Sequence, residues 1–372
     1  MTYRILAAAV CAAAATALAQ GVTDSQILLG QSVALTGPSM ELGKDMQQGA
    51  TLYFNQVNKA GGVHGRRIVL KTLDDGYEAT RAAENTRKLI NDDKVFALFG
   101  YVGTPTSQAS LPIFTEARVP FVGPFTGAEL LRTPVNPYVF NVRASYYDET
   151  EAIVQHLTAM SVNKIAVFYQ NDAYGQAGLA GVERALKKRN LEVAGKGTVE
   201  RNTVEVKKAV TDIAQGKPQA IVMIGSYKAC AAFIRDTKAL GQSPTFWNVS
   251  FVGSKALAKE LAADGRGVQI SQVVPFPWDN SVPVVKEYRK LLEEANGEPG
   301  FGTLEGFIAA KVMTEGLRRA GKNLTRESFV KAMESIQDYD VGGFKVSYGP
   351  GVRSGSKFVD LTIISRDQKF VR

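Results

Sequence analysis

Short runs of β-branched and aromatic residues punctuate the chain at Ile27 to Leu35, Arg67 to Leu73, Phe96 to Gly100, Pro120 to Val122, Ile165 to Tyr169, Ala220 to Ile224 and Gln269 to Val274. Between them the apolar positions fall at helical spacing. In Gly49 to Val57, for example, Ala50, Tyr53, Phe54 and Val57 recur at i, i+3, i+4 and i+7 and share one face. Strands that alternate with helices predict parallel sheets covered by helices. So many units exceed one doubly wound sheet, and two are expected.

The strand pattern restarts at Lys164 to Tyr169 after a helix beginning near Tyr146, which places a crossing between halves near Asn141 to Ser145. A second change of texture comes at Val274-Pro275-Phe276-Pro277-Trp278, where two prolines cannot continue a ladder. The helix from about Thr303 to Ala320 then has no strand partner of its own. The expected fold is therefore α/β, with two doubly wound parallel-sheet lobes joined by a multi-strand hinge. Lobe 1 is expected to comprise residues 20–143 with 276–352, and lobe 2 residues 144–275 with 353–372. Ligands of open α/β sheets sit beyond the carboxyl ends of strands, so those loops carry the chemistry.

The first 19 residues change this picture only by leaving it. Arg4, the apolar run Ile5 to Leu18 and the small-x-small triplet Ala17-Leu18-Ala19 form a secretory leader, with Gln20 as the expected mature start. Cys11 follows Val10 inside the apolar run, which argues against lipidation. No later segment is long and apolar enough to cross a membrane. The formal charge of +8 falls to +7 without Arg4 and is dispersed along the chain, which makes nucleic acid a poor partner. Cys230 alone would remain, so no internal disulfide is available in an oxidising compartment.

Two post-strand loops in the first half carry glycines and hydroxyls. In Phe99-Gly100-Tyr101-Val102-Gly103-Thr104-Pro105, Thr104 reads as an N-cap with Pro105 at the first helical position. A hydroxyl and free N–H groups at a helix N-terminus suit a carboxylate, although an ordinary capped helix explains Thr104 equally well. The second loop is Gly123-Pro124-Phe125-Thr126-Gly127. In the other half Tyr169 to Gly175 and Ile224 to Lys228 each place a tyrosine, Tyr174 and Tyr227, one turn after a strand.

The stretches Ser32-Val33-Ala34-Leu35-Thr36-Gly37-Pro38, Asn58 to Gly65, Leu73-Asp74-Asp75, Gly123-Pro124 and Asp172-Ala173-Tyr174-Gly175 occur in order across the expected mature chain. Together they resemble the leucine/isoleucine/valine-binding protein family. The resemblance implies the type I periplasmic binding fold, closure of two lobes on a ligand, and a carboxylate-binding hydroxyl at Thr104. It places backbone contacts at Val102, Phe125 and Gly127, and cleft tyrosines at Tyr174 and Tyr227. Gly103, Thr126, Leu42 and Trp278 complete the expected lining. Three departures follow from the same comparison. Gly127 stands where the family commonly has a threonine, and Ser250 stands where branched-chain binders carry the acid that holds the ammonium. Tyr77 and Gly103 take the places of the family's first-lobe disulfide. An α-amino acid would then need another acid, for which Glu305 is the candidate; helix-dipole compensation also explains it.

The expected function is an extracytoplasmic substrate-binding protein of an ABC importer in the periplasm. It would be monomeric, dependent on an inner-membrane permease, free of cofactor and metal, and specific for an amino acid or related small carboxylate. A subunit that senses the same ligand for a membrane receptor would share fold and cleft. No G-x-S-x-G elbow, P-loop or dinucleotide fingerprint is present, and two histidines with one remaining cysteine make an enzyme the weakest reading.

Overall fold

The computed structural model describes residues 19–372; of the expected leader it includes only Ala19. The chain first lays down β1 (Gln26–Val33), α1 (Met40–Lys59), β2 (Arg67–Asp74), α2 (Ala79–Asn91), β3 (Ala97–Phe99), α3 (Thr104–Glu116), β4 (Phe121–Val122) and β5 (Val139–Phe140). The five strands form one parallel sheet in the order β2-β1-β3-β4-β5.

The chain next forms α4 (Tyr146–Ala159), β6 (Ile165–Gln170), α5 (Ala173–Lys187), β7 (Lys196–Val199) and α6 (Lys207–Gln215). After these come β8 (Ala220–Ile224), α7 (Tyr227–Ala239), β9 (Thr245–Asn248), α8 (Ser254–Leu261) and β10 (Gln269–Gln272). Their strands lie β7-β6-β8-β9-β10, all parallel, and so repeat the order of the first sheet. Each sheet therefore reverses its winding between its first and third strands. Such switch points open crevices at the carboxyl ends of strands.

After β10 the chain returns to the first sheet with α9 (Pro283–Glu294), α10 (Phe301–Ala320), α11 (Arg326–Glu334) and the hairpin β11 (Tyr339–Asp340) and β12 (Lys345–Val346). It then adds β13 (Asp360–Ile364) and β14 (Phe370–Val371) antiparallel beyond β10. The long helix α10 finds its partner in α1 because glycines let the backbones meet. A Cβ at Gly49 would lie 1.8 Å from the Thr303 carbonyl oxygen, and one at Gly306 2.4 Å from that of Met46.

Two connecting segments run side by side between the sheets. Asn141 accepts an N–H from Gly355 (2.8 Å) and donates its own to Arg353 O (2.9 Å), while Tyr348 Oη donates to Asn141 O (3.0 Å). Immediately afterwards Ser145 caps α4, with Asp148 completing the reciprocal capping box. This cap turns the crossing chain into the first helix of the second sheet. The third connection, Val273 to Pro277, is buried throughout except for half-buried Phe276.

Candidate functional site

The loop after β3 differs from the sequence reading in one instructive way. Gly103, with φ of 107°, is the residue before α3, and Thr104 is the first helical residue. Its hydroxyl therefore does not cap its own helix. Thr104 Oγ1 lies 2.7 Å from Thr126 Oγ1, and Thr126 Oγ1 lies 3.3 Å from Tyr146 Oη. Gly103 must also lack a side chain because a Cβ there would meet the Tyr77 ring at 2.3 Å. Tyr77 thus fills the space beside Gly103.

Gly127 follows the same logic. A Cβ at this position would lie 2.6 Å from both the Tyr146 N and ring, so a threonine cannot stand there. Thr126 supplies the hydroxyl next to Thr104 in its stead. Both threonines are fully buried.

From the second sheet, Asp172 accepts the Tyr174 N–H (2.9 Å) at the start of α5 and so fixes Tyr174 over the crevice. The Tyr174 ring centroid lies 5.4 Å from that of Tyr146 and 4.6 Å from that of Phe251. Phe251 also meets Tyr77 (5.9 Å) and Phe125 (5.6 Å) from the opposite sheet. The Tyr174 hydroxyl is buried without a hydrogen-bond partner. Burial pushes its pKa well up, so it remains a neutral donor across the ordinary range.

Beside the hydroxyls lies a buried ionic cluster. Glu149 accepts from Arg143 Nη2 (3.1 Å), Ser250 N (2.8 Å), Ser250 Oγ (3.1 Å) and Ser271 Oγ (2.6 Å). Four donors and the N-terminal end of α4 compensate its charge. Arg143 also donates to Ser250 and lies 5.0 Å from the Phe125 ring centroid. Its Nη1 stands 3.4 Å from Glu305 Oε1. Glu305 is in the second turn of α10 and 4% exposed, which replaces the dipole explanation with a buried ion pair. Desolvation outweighs Arg143 there and holds its pKa up to about 7; Glu149 adds to the rise.

Leu42, Asp45, Phe125, Ser250 and Glu305 share an enclosed inner cavity of about 10 Å³, space for about one water. Val102, Gly103, Thr104, Thr126, Gly127 and Tyr174 build the hydroxyl and aromatic cluster adjoining Phe125. Two further expected lining residues lie next to the inner cavity. Tyr227 is buried against Gly253, which with Leu42 lines that cavity. Trp278 lines a second, wider cavity. Residues that the sequence reading missed are Arg143, Glu149, Tyr77, Tyr146 and Phe251. Among the described residues, no group of three or more metal-ligating side chains assembles.

Two parallel α/β lobes that aim their switch points at a common polar cleft define a two-lobed ligand-binding protein. A family model described as periplasmic binding protein matches residues 26–357, and the chain belongs to that family. It is similar to the Leu/Ile/Val-binding protein homolog 7 of Brucella abortus, at 23% identity over 88% of this chain and 85% of that one. Among solved structures it resembles a possible leucine/isoleucine/valine-binding protein from Rhodopirellula baltica, with 33% identity, a TM-score of 0.90, and coverage of 94% and 97% of the two chains. A substrate-binding periplasmic protein from Ralstonia solanacearum gives 32% identity, a TM-score of 0.88, and coverage of 93% and 99%.

Proposed function

We propose that the protein is the periplasmic substrate-binding component of an ABC importer, and that it clamps a small organic carboxylate between its lobes. The carrying observation is the buried chain of hydroxyls that runs from Thr104 at the start of α3 through Thr126 to Tyr146 at the start of α4, beside the unpartnered hydroxyl of Tyr174, whose ring packs 5.4 Å from that of Tyr146. Hydroxyls and a helix N-terminus stabilise an anion, and a carboxylate supplies the acceptor that Tyr174 lacks.

Aromatic walls from Tyr77, Phe125 and Phe251 favour a ligand with an apolar body. A ligand larger than one water cannot enter the enclosed cavity unless the lobes separate, which supports hinge opening and closure as the route in. The relatives named for branched-chain amino acids support the same ligand class. An α-ammonium would meet Glu305 or Asp45, the two acids that line the inner cavity, because four donors already occupy Glu149.

Differential scanning fluorimetry against amino acids, keto acids, aromatic acids and neutral sugars tests this reading. A ligand at 100 times its dissociation constant stabilises by about 2.7 kcal/mol. A stabilising carboxylate is expected; a panel in which only neutral sugars stabilise the fold would reject the carboxylate site.

A further inference from the structure

Trp278 leads to a second site. The cavity that it lines has a volume of about 730 Å³, within the usual range of about 300–1,000 Å³ for small-molecule sites. Its floor is aromatic. Trp278 stacks on Phe370 at 5.7 Å with 22° between planes, and Phe276 packs 5.0 Å from Trp278. Phe301, from the start of α10, meets Trp278 at 5.7 Å and Phe370 at 5.5 Å. Phe301 lines the inner cavity and packs behind the Trp278 and Phe370 rings of the outer one.

The rim of this outer cavity is cationic. Lys255 and Lys259 come from α8, and Lys369 from the turn before β14. The acid among the lining residues, Glu298, is paired with Lys255 at 2.6 Å. Lys259 and Lys369 therefore stand above an apolar floor without an ion-pair partner among the described residues. Arg372, which caps the Phe276 ring at 4.9 Å, is already paired with Asp279 at 2.6 Å. Flat apolar surface beneath two uncommitted ammonium groups complements a ring bearing one negative charge.

We propose that this outer cavity is a second ligand site, separate from the inner cavity, that takes an aromatic monoanion such as an arene carboxylate. The ring would lie against Trp278 and Phe276, with its charge toward Lys259 and Lys369. The walls come from α8 and β14 of one lobe and from Glu298 and Pro299 of the other.

Calorimetric titration with 2-naphthoate, and with uncharged 2-naphthalenemethanol as its control, tests the site. The variants are Lys259→Gln with Lys369→Gln, Trp278→Ala and Thr104→Ala. Both lysines are exposed, so their replacement leaves the fold intact. The lysine pair should weaken naphthoate about threefold to tenfold and leave the alcohol unchanged. Trp278→Ala should weaken both probes, and Thr104→Ala neither. Loss of naphthoate binding in Thr104→Ala alone would place the probe in the inner cleft and overturn the proposal. Absence of saturable binding, or equal sensitivity of both probes to the lysines, would overturn it as well.

Discussion

A buried hydroxyl without a partner costs a protein about 1–3 kcal/mol, and Tyr174 carries one at the centre of the cleft. Stability alone would favour phenylalanine there. Tyr174→Phe is therefore expected to raise the unliganded protein's stability by about 1 kcal/mol while it weakens the ligand, a pair of opposite signs that a structural tyrosine would not give. Urea unfolding and calorimetry on the same variant read the two quantities. Arg143 poses the converse case. Its charge is fully buried yet opposed by Glu149 and Glu305, so removing the arginine alone would strand two acids. None of this was legible from residue type, because Arg143, Glu149 and Ser250 come together across sequence separations of up to 107 positions. What the chain did disclose was Thr104, since a glycine-rich turn followed by Thr-Pro marks a helix start. The direction of its hydroxyl depended on Gly103 adopting positive φ, which residue order does not report.

At the scale of elements, the loop between β7 and α6 carries a clasp. Asn202, at φ of 61°, donates to Glu78 Oε1 (2.6 Å) and Gly76 O (3.1 Å) beside the first sheet. Arg201 reaches Glu78 at 3.1 Å from the same loop. These bonds join the two halves of the molecule and involve none of the hydroxyls of Thr104, Thr126 and Tyr146. Asn202→Ala should weaken affinity about threefold to tenfold, mainly through faster dissociation, because one charge-assisted and one neutral bond are lost at a partly exposed site. Stopped-flow release of ligand measures it; an unchanged off-rate with proven binding would show that the clasp does not hold the closed form. The strands that the sequence made visible, such as Ala220–Ile224, are those buried on both faces and hence uninterrupted in apolar pattern. Those it hid are short or mixed: β5 has two residues, and β7 reads Lys-Gly-Thr-Val with alternate positions exposed. The crossing near Asn141 to Ser145 was legible from the restart of the strand pattern, whereas the pairing of Asn141 with Arg353 was not.

For the whole molecule, the raised pKa of Glu305 makes folding depend on pH. Its carboxyl ordinarily titrates near 4.5 and here near 7, so the folded chain binds more protons between those values. The stabilisation is complete below about 4.5 and is lost as pH rises through 7. Asp45, also held up to about 7 by burial, acts in the same window; Lys255 opposes that rise and Glu41 adds to it. Glu305→Gln should accordingly flatten part of the slope and stabilise the protein at pH 8 by up to about 3 kcal/mol, with little change at pH 4.5. Urea midpoints at the two pH values check the sign. A larger gain at pH 4.5 than at pH 8 would mean that Arg143 governs Glu305 after all.

The proposed function rests on one claim, that Thr104 holds a ligand carboxylate at the start of α3. Calorimetry of the most stabilising carboxylate against wild type and Thr104→Ala tests it directly, with circular dichroism to confirm the fold. Loss of a hydroxyl bond to a charged group, about 1.5–3 kcal/mol, should weaken binding about 10- to 150-fold without abolishing it, since the helix N–H groups and Tyr174 remain. Affinity that stays the same in Thr104→Ala, or falls further in Ser250→Ala, would contradict the account and put the carboxylate at the other end of the cleft.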